Sequence, residues 1–218
     1  MAVTDPARRP GKRSDLDVPV ALVEAAERMF GEASVESVSL RAVARAAGVA
    51  PAAVFYHYPT KDDLVGAVVA RRGRTVGRQT RQDLAALAER AEVSVRDVVE
   101  AVLMPMVAEI NADPEGGLNW AKVVAWAATT DISPFHSAIE VAPSIDSLFV
   151  AALERALGRT RNPEIRRRTG IAVFGMLNAL AGADRRGYGH PMTEDGLDPD
   201  FVEAIASFAT AGLAAIDD

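Results

Sequence analysis

The chain predicts an all-α protein, and three observations carry that prediction. Alanine is abundant and runs of β-branched residues are short, so helix is the expected local state. Apolar residues recur at helical spacing, and the stretches are punctuated by capping residues, Gly and Pro. At 218 residues, 49% hydrophobic and 25% charged, the chain suits a globular protein with a substantial core, either one large domain or a small one joined to a medium one.

The elements follow in order. Residues 1–16 hold Arg8, Arg9, Pro10, Gly11, Lys12 and Arg13 and read as a flexible tail, whose cations either stay solvated or reach DNA phosphates or the minor groove. A first helix spans about Val18 to Phe30, with Leu22, Val23, Ala26, Met29 and Phe30 on one side. Ser39 is placed to cap a second helix, with Leu40, Val43, Ala44 and Ala47 as its apolar stripe and Arg41 and Arg45 together on another face. Gly48 stands where a left-handed C-cap is needed. Pro51 suits the first turn of a short third helix ending near Tyr56. Thr60 and Asp63 approximate a capping box for a fourth. Lys61 stands in the first turn of that helix, where the macrodipole disfavours a cation, so it is either a solvated lysine or one with a nearby phosphate.

Beyond residue 90, Ser94 and Asp97 form another box, opening a helix to about Ile110 that Pro105 would kink. Asn111–Gly117 reads as a turn and Leu118–Thr129 as an apolar helix. Pro134–Leu157 follows, with a break near Pro143, then Pro163 to about Arg186, a loop over Gly187–Pro199, and a last helix from Asp198 or Asp200 to about Ile216.

Composition narrows the function. With no cysteine, disulfides, thiolate metal sites and thiol nucleophiles are excluded. His57, His136 and His190 form no close ligand pair, so no metal is expected, and no cofactor. No charge-free apolar stretch reaches membrane-spanning length and the N-terminus lacks a signal-peptide core, so a cytoplasmic protein without membrane contact is expected. The net charge of −6 is unevenly spread. Residues 1–74 hold 11 Lys and Arg against 9 Asp and Glu, while residues 75–218 hold 13 against 21. A mildly basic N-terminal part on an acidic C-terminal part suggests two jobs.

Residues 37–64 carry the sharpest signal. Three short helical patterns, one Gly-centred turn and one Pro-Thr break have the layout of a DNA-binding helix-turn-helix. Residues 18–68 resemble the DNA-binding domain of the TetR family of transcriptional regulators. The resemblance rests on Ala25-Ala26, Met29-Phe30, Ser39, the Ala47-Gly48-Val49 turn, the aromatic run Phe55-Tyr56-His57-Tyr58 and the fourth-helix start Thr60-Lys61-Asp62-Asp63-Leu64. The chain departs from the family where Ser34 and Phe55 replace a frequent Gly and Tyr, and where Ala50 replaces a capping Ser.

The resemblance implies three parts: a basic arm (1–16), a helix-turn-helix domain (17–62) and a helical effector-binding and dimerisation domain (63–218). It puts the third helix in the major groove and Ser39, Lys61 and the aromatic run at the DNA backbone. The residues add detail. Pro51, Ala52 and Ala53 offer no hydrogen bonds, though Ala52 and Ala53 suit thymine methyls, and Arg45, then Arg41, could reach guanine edges. Tyr56, His57 and Lys61 suit phosphates; His57 could equally cap or pack. Small residues in the last two long helices permit close helix approach, and Phe174, Leu177, Ala181, Ile205, Phe208 and Gly212 are the homodimer candidates. Met104, Met106, Trp120, Trp126, Phe135, Phe149 and Asn178, with Asn119, Lys122 and His136 as further polar handles, are the candidates for a pocket taking a small, mainly apolar, aromatic effector. The expected protein is a homodimeric repressor released from a palindromic operator by that effector; an activator would use the same features. The alternatives are a helical interaction module that has lost DNA binding, or an enzyme. The chain shows no Gly-rich phosphate loop, nucleophile elbow or metal-ligand spacing for the latter.

Overall fold

A computed structural model describes residues 17–130, 143–160 and 162–215. The basic arm and the candidates Phe135 and His136 lie outside them. The described residues form nine α-helices: α1 (Val18–Glu32), α2 (Leu40–Ala46), α3 (Pro51–His57), α4 (Lys61–Ala88), α5 (Val95–Ala112), α6 (Pro114–Thr130), α7 (Ile145–Leu157), α8 (Pro163–Ala181) and α9 (Pro199–Ala214). A turn of 3₁₀ helix at Arg186–Tyr188 and a two-residue hairpin pairing Met192–Thr193 with Gly196–Leu197 separate α8 from α9. The all-α expectation holds, and the stretch expected as a plain loop before α9 contains this hairpin.

Local chemistry accounts for most helix starts. Thr60 and Ser94 both open complete capping boxes, with Asp63 and Asp97 returning a carboxylate to the cap backbone. Ser144 caps α7 and Asn162 caps α8 ahead of Pro163. Asn111–Gly117, expected as a turn, is corrected to a junction of a single residue, Asp113, between α5 and α6. The Asp113 carboxylate accepts from the Gly116 N–H at 3.2 Å and its carbonyl from Gly117 at 2.7 Å, so the two glycines are drawn into the first turn of α6. The Pro163 helix stops at Ala181 rather than near Arg186, with Gly182 as its C-cap.

One continuous core joins both parts of the chain. Leu22, Phe30, Val43, Val54 and Leu64 close the three-helix N-terminal unit and run on into Leu103, Ile110, Trp120, Phe149, Leu153 and Leu180. Burying each such side chain contributes about 1.5–3 kcal/mol before conformational entropy is set against it. The broadest packing of α1 is on α6, across the two parts. Gly31 makes that approach possible: a Cβ there would stand 2.4 Å from the Asn119 Cβ and 2.5 Å from its Cα. Asn119, considered as a polar handle, is therefore buried under α1. Polar ties reinforce the joint. The Arg72 guanidinium on α4 meets Glu27 of α1 at 2.9 Å, Glu109 of α5 at 2.9 Å and Asp113 at 2.5 Å.

Candidate nucleic-acid interface

The helix-turn-helix is built by local rules. The Ser39 hydroxyl accepts from the Ala42 N–H at 3.2 Å and starts α2. At its end Gly48 has a φ of +70°, and the N–H of Val49 returns to the Ala44 carbonyl at 3.0 Å. This reverses the chain in a left-handed step that a Cβ would strain. Ala50 supplies no side-chain cap to α3, so that helix starts on Pro51 alone and is held down by the fully buried Val54.

One face is left to solvent. Arg41, Arg45, Pro51 and Ala52 are exposed, Tyr56 is 82% exposed, and Ala53 and His57 are half-buried. The rings of Tyr56 and His57 meet edge-on with centroids 5.0 Å apart, which orients both. Phe55 is 44% exposed and lines an open cleft with Ser37, Ser39, Arg41 and Lys61. Of the nine residues singled out from the sequence, Ser39, Arg41 and Lys61 line this cleft, and Tyr56 and His57 are in ring contact on α3. Ser37 was not among the nine: it lies between elements, outside any helical pattern.

Lys61 is the least expected. Its ammonium donates to the backbone carbonyls of Val35 at 2.9 Å and Glu36 at 3.1 Å, in the turn between α1 and α2. A cation in the first turn of a helix is therefore matched by two carbonyl oxygens of another segment. The turn is knitted further by Ser34, whose hydroxyl accepts from the Ser37 N–H at 3.2 Å. Serine in place of a glycine thus adds a local hydrogen bond. The Trp126 indole of α6 donates to the Glu36 carboxylate, and this bond holds the Glu36 carboxyl below the usual carboxylate range.

The remaining candidates separate. Trp120 is buried with its indole N–H on the Val69 carbonyl at 3.1 Å, Phe149 is buried in the core, Met106 is half-buried and Met104 is 45% exposed. None of these four lines any of three cavities formed by described residues. Trp126, Lys122 and Asn178 do meet in one, a cavity of about 380 Å³ between the α1 end, α6 and α8. Of the dimer candidates, Phe174, Phe208 and Gly212 face outward, while Leu177, Ala181 and Ile205 turn into the core.

A family model described as bacterial regulatory proteins, tetR family, matches residues 22–68. No curated protein matches the chain by sequence. Several solved structures share its fold. A TetR-family transcriptional regulator from Streptomyces coelicolor is 19% identical with a TM-score of 0.53, over 92% of this chain and 100% of that one. PfmR, a TetR-family regulator from Thermus thermophilus, is 13% identical at 0.60, over 90% and 99%. AmtR from Mycobacterium smegmatis is 18% identical at 0.58, over 97% and 91%. The fold is thus shared with these structures along nearly the whole length, and residues 22–68 carry the sequence signature of the tetR family of bacterial regulatory proteins.

Proposed function

We propose that this DNA-binding regulator works as a homodimeric repressor whose hold on a palindromic operator is released by a small molecule. The observation that carries the reading is the solvent face of α2 and α3. Arg45 and Tyr56 project into solvent from this pair of short helices, backed by Val54, with His57 half-buried against the Tyr56 ring. The α3 helix enters the major groove, Arg45 reads a guanine edge, and Tyr56 and His57 hold phosphates. Residues 17–62 act as the reading unit and 63–218 as its control, joined by α4, whose 28 residues belong to both. No described helix is long and apolar enough to cross a membrane, and the protein acts where its DNA is, in the cytoplasm.

Dimerisation is supported by the paired outer face of α8 and α9. There Phe208 is 84% exposed, Ile171 68% and Phe174 45%, beside an apolar groove of about 650 Å³ floored by Gly175, Ala179 and Ala204. Large apolar side chains over small ones suit a self-complementary two-fold contact, and a two-fold protein reads a two-fold operator.

The test is a gel shift on the DNA upstream of the chain's own gene, followed by footprinting. A retarded band that weakens with salt, and a protected region with two half-sites about one helical turn or more apart, are expected. Absence of binding to any neighbouring promoter at low salt would overturn the reading.

A further inference from the structure

The cavity between α1, α6 and α8 has a composition of its own. Phe30, Trp126 and Tyr188 give it ring-shaped apolar walls, and Lys122, Asn178 and Arg185 give it polar ones; among the described residues no acidic side chain lines it. Lys122 is paired with Asp184 at 2.6 Å, whereas Arg185 forms no ion pair among the described residues. At about 380 Å³ it matches a small organic molecule. We propose that it binds a compact carboxylate bearing an aromatic ring, with the carboxylate on Arg185 and Lys122 and the ring against Trp126, and that this ligand is the effector. The inference rests on the reading of the chain as a ligand-released DNA-binding protein, and adds a charged end to the apolar ring expected from the sequence.

The position explains how such a ligand would be felt at the DNA. One wall is the end of α1 and the turn after it, Gly31 and Ala33 to Val35; the opposite wall is α6, α8 and the segment after α8 that carries Arg185 and Tyr188. The same turn presents the Val35 and Glu36 carbonyls to Lys61, four residues beyond the end of α3, and presents the Glu36 carboxylate to Trp126. A ligand seated there bears on the segment that fixes the helix-turn-helix against the larger domain. It shifts DNA affinity by its differential affinity for the two placements of that segment.

The experiment uses the full chain and three probe acids, benzoate, phenylacetate and 3-phenylpropionate, each beside its uncharged carboxamide. Calorimetry reads binding, tryptophan fluorescence reads Trp126, and a gel shift reads DNA. At least one acid is expected to bind at micromolar to millimolar concentration, alter the fluorescence and weaken DNA binding, with its amide about tenfold weaker or more. Arg185→Gln is expected to weaken the acid about tenfold while leaving ligand-free DNA binding intact, and Arg185→Lys to recover part of the loss. Three results overturn the proposal: no acid binds; acids and amides bind alike; or Arg185→Gln binds the acids as well as the parent. Binding that leaves DNA affinity unchanged removes the effector role. If the chain binds no promoter at all, the regulatory reading falls, and calorimetry with Arg185→Gln still decides the cavity.

Discussion

The Arg72 guanidinium lies 2.9 Å from the Glu27 carboxylate, with both side chains almost wholly withdrawn from solvent, at 11% and 5% exposure. This pair ties α1 of the DNA-binding unit to α4, and through Glu109 and Asp113 to the α5–α6 corner. A charge withdrawn to this degree is tolerated only while it is matched. Arg72→Met should therefore destabilise the protein by about 3 kcal/mol, toward the lower end of the cost of breaking a buried pair, because Arg71 still meets Glu27 at 2.9 Å. Urea unfolding checks this. Adding Glu27→Leu should cost less than the sum of the two single changes, since the second removes the charge that the first left poorly matched.

Lys61→Ala tests a structural role against a DNA contact. With the ammonium on the Val35 and Glu36 carbonyls, its loss should loosen the α1–α2 turn and weaken every DNA sequence alike. Hydrogen exchange at the amides of residues 33–38 should quicken by about tenfold, the loss of about one to two kcal/mol expected when hydrogen bonds to a charged group disappear. Weakened DNA binding with unchanged exchange would place Lys61 on phosphates alone.

Arg45 and Tyr56 should behave differently from one another. Arg45→Ala is expected to cost about 1–3 kcal/mol on the preferred operator and to relax preference at one base pair of each half-site. Tyr56→Phe keeps the ring on His57 and removes only a hydroxyl, so it should weaken all sequences evenly and by less. Binding across a panel of single-base operator variants distinguishes the two patterns.

Phe208 is the most exposed large apolar side chain on the outer face of α8 and α9. Phe208→Glu should leave the fold intact, yield monomers in sedimentation, and reduce operator affinity about a hundredfold by removing the second reading head.

Acid should act partly through Asp97. Hydrogen bonds from the Ser94 hydroxyl and backbone N–H, then Arg90, hold its carboxyl down to about 2 from an ordinary 3.8. The folded state thus favours the charged form, so its contribution is complete above about pH 4 and is lost as pH falls through about 2. Asp97→Asn, which breaks the capping box of α5, should cost about 1 kcal/mol at neutral pH, and the difference from the parent should close on acidification. Thermal unfolding at a series of pH values measures both.

How legible these features were depended on how far apart the partners lie. Ser39, Gly48, Thr60 with Asp63, and Ser94 with Asp97 act on backbone within three or four residues, and each was readable in place. The Asn111–Gly117 junction was misread because two glycines favour a turn, and only the capping carboxylate of Asp113 and the packing of α6 overrode them. Helical spacing marked Trp120 and Trp126 alike as large residues of one apolar helix. Yet one indole is sealed on the Val69 carbonyl and the other reaches Glu36.

By itself the sequence determined the helical class, the order of the first four helices, the glycine reversal and the face that projects Arg45 and Tyr56, because caps, turns and period are set by near neighbours. The tertiary structure alone decided that Lys61 reaches the α1–α2 turn, that Gly31 lets α1 seat on Asn119, that Phe208 faces out while Ile205 faces in, and that Lys122, Trp126 and Arg185 share one cavity. Each of those depends on how separate helices are packed together, and that arrangement is set by the whole core rather than by any single segment.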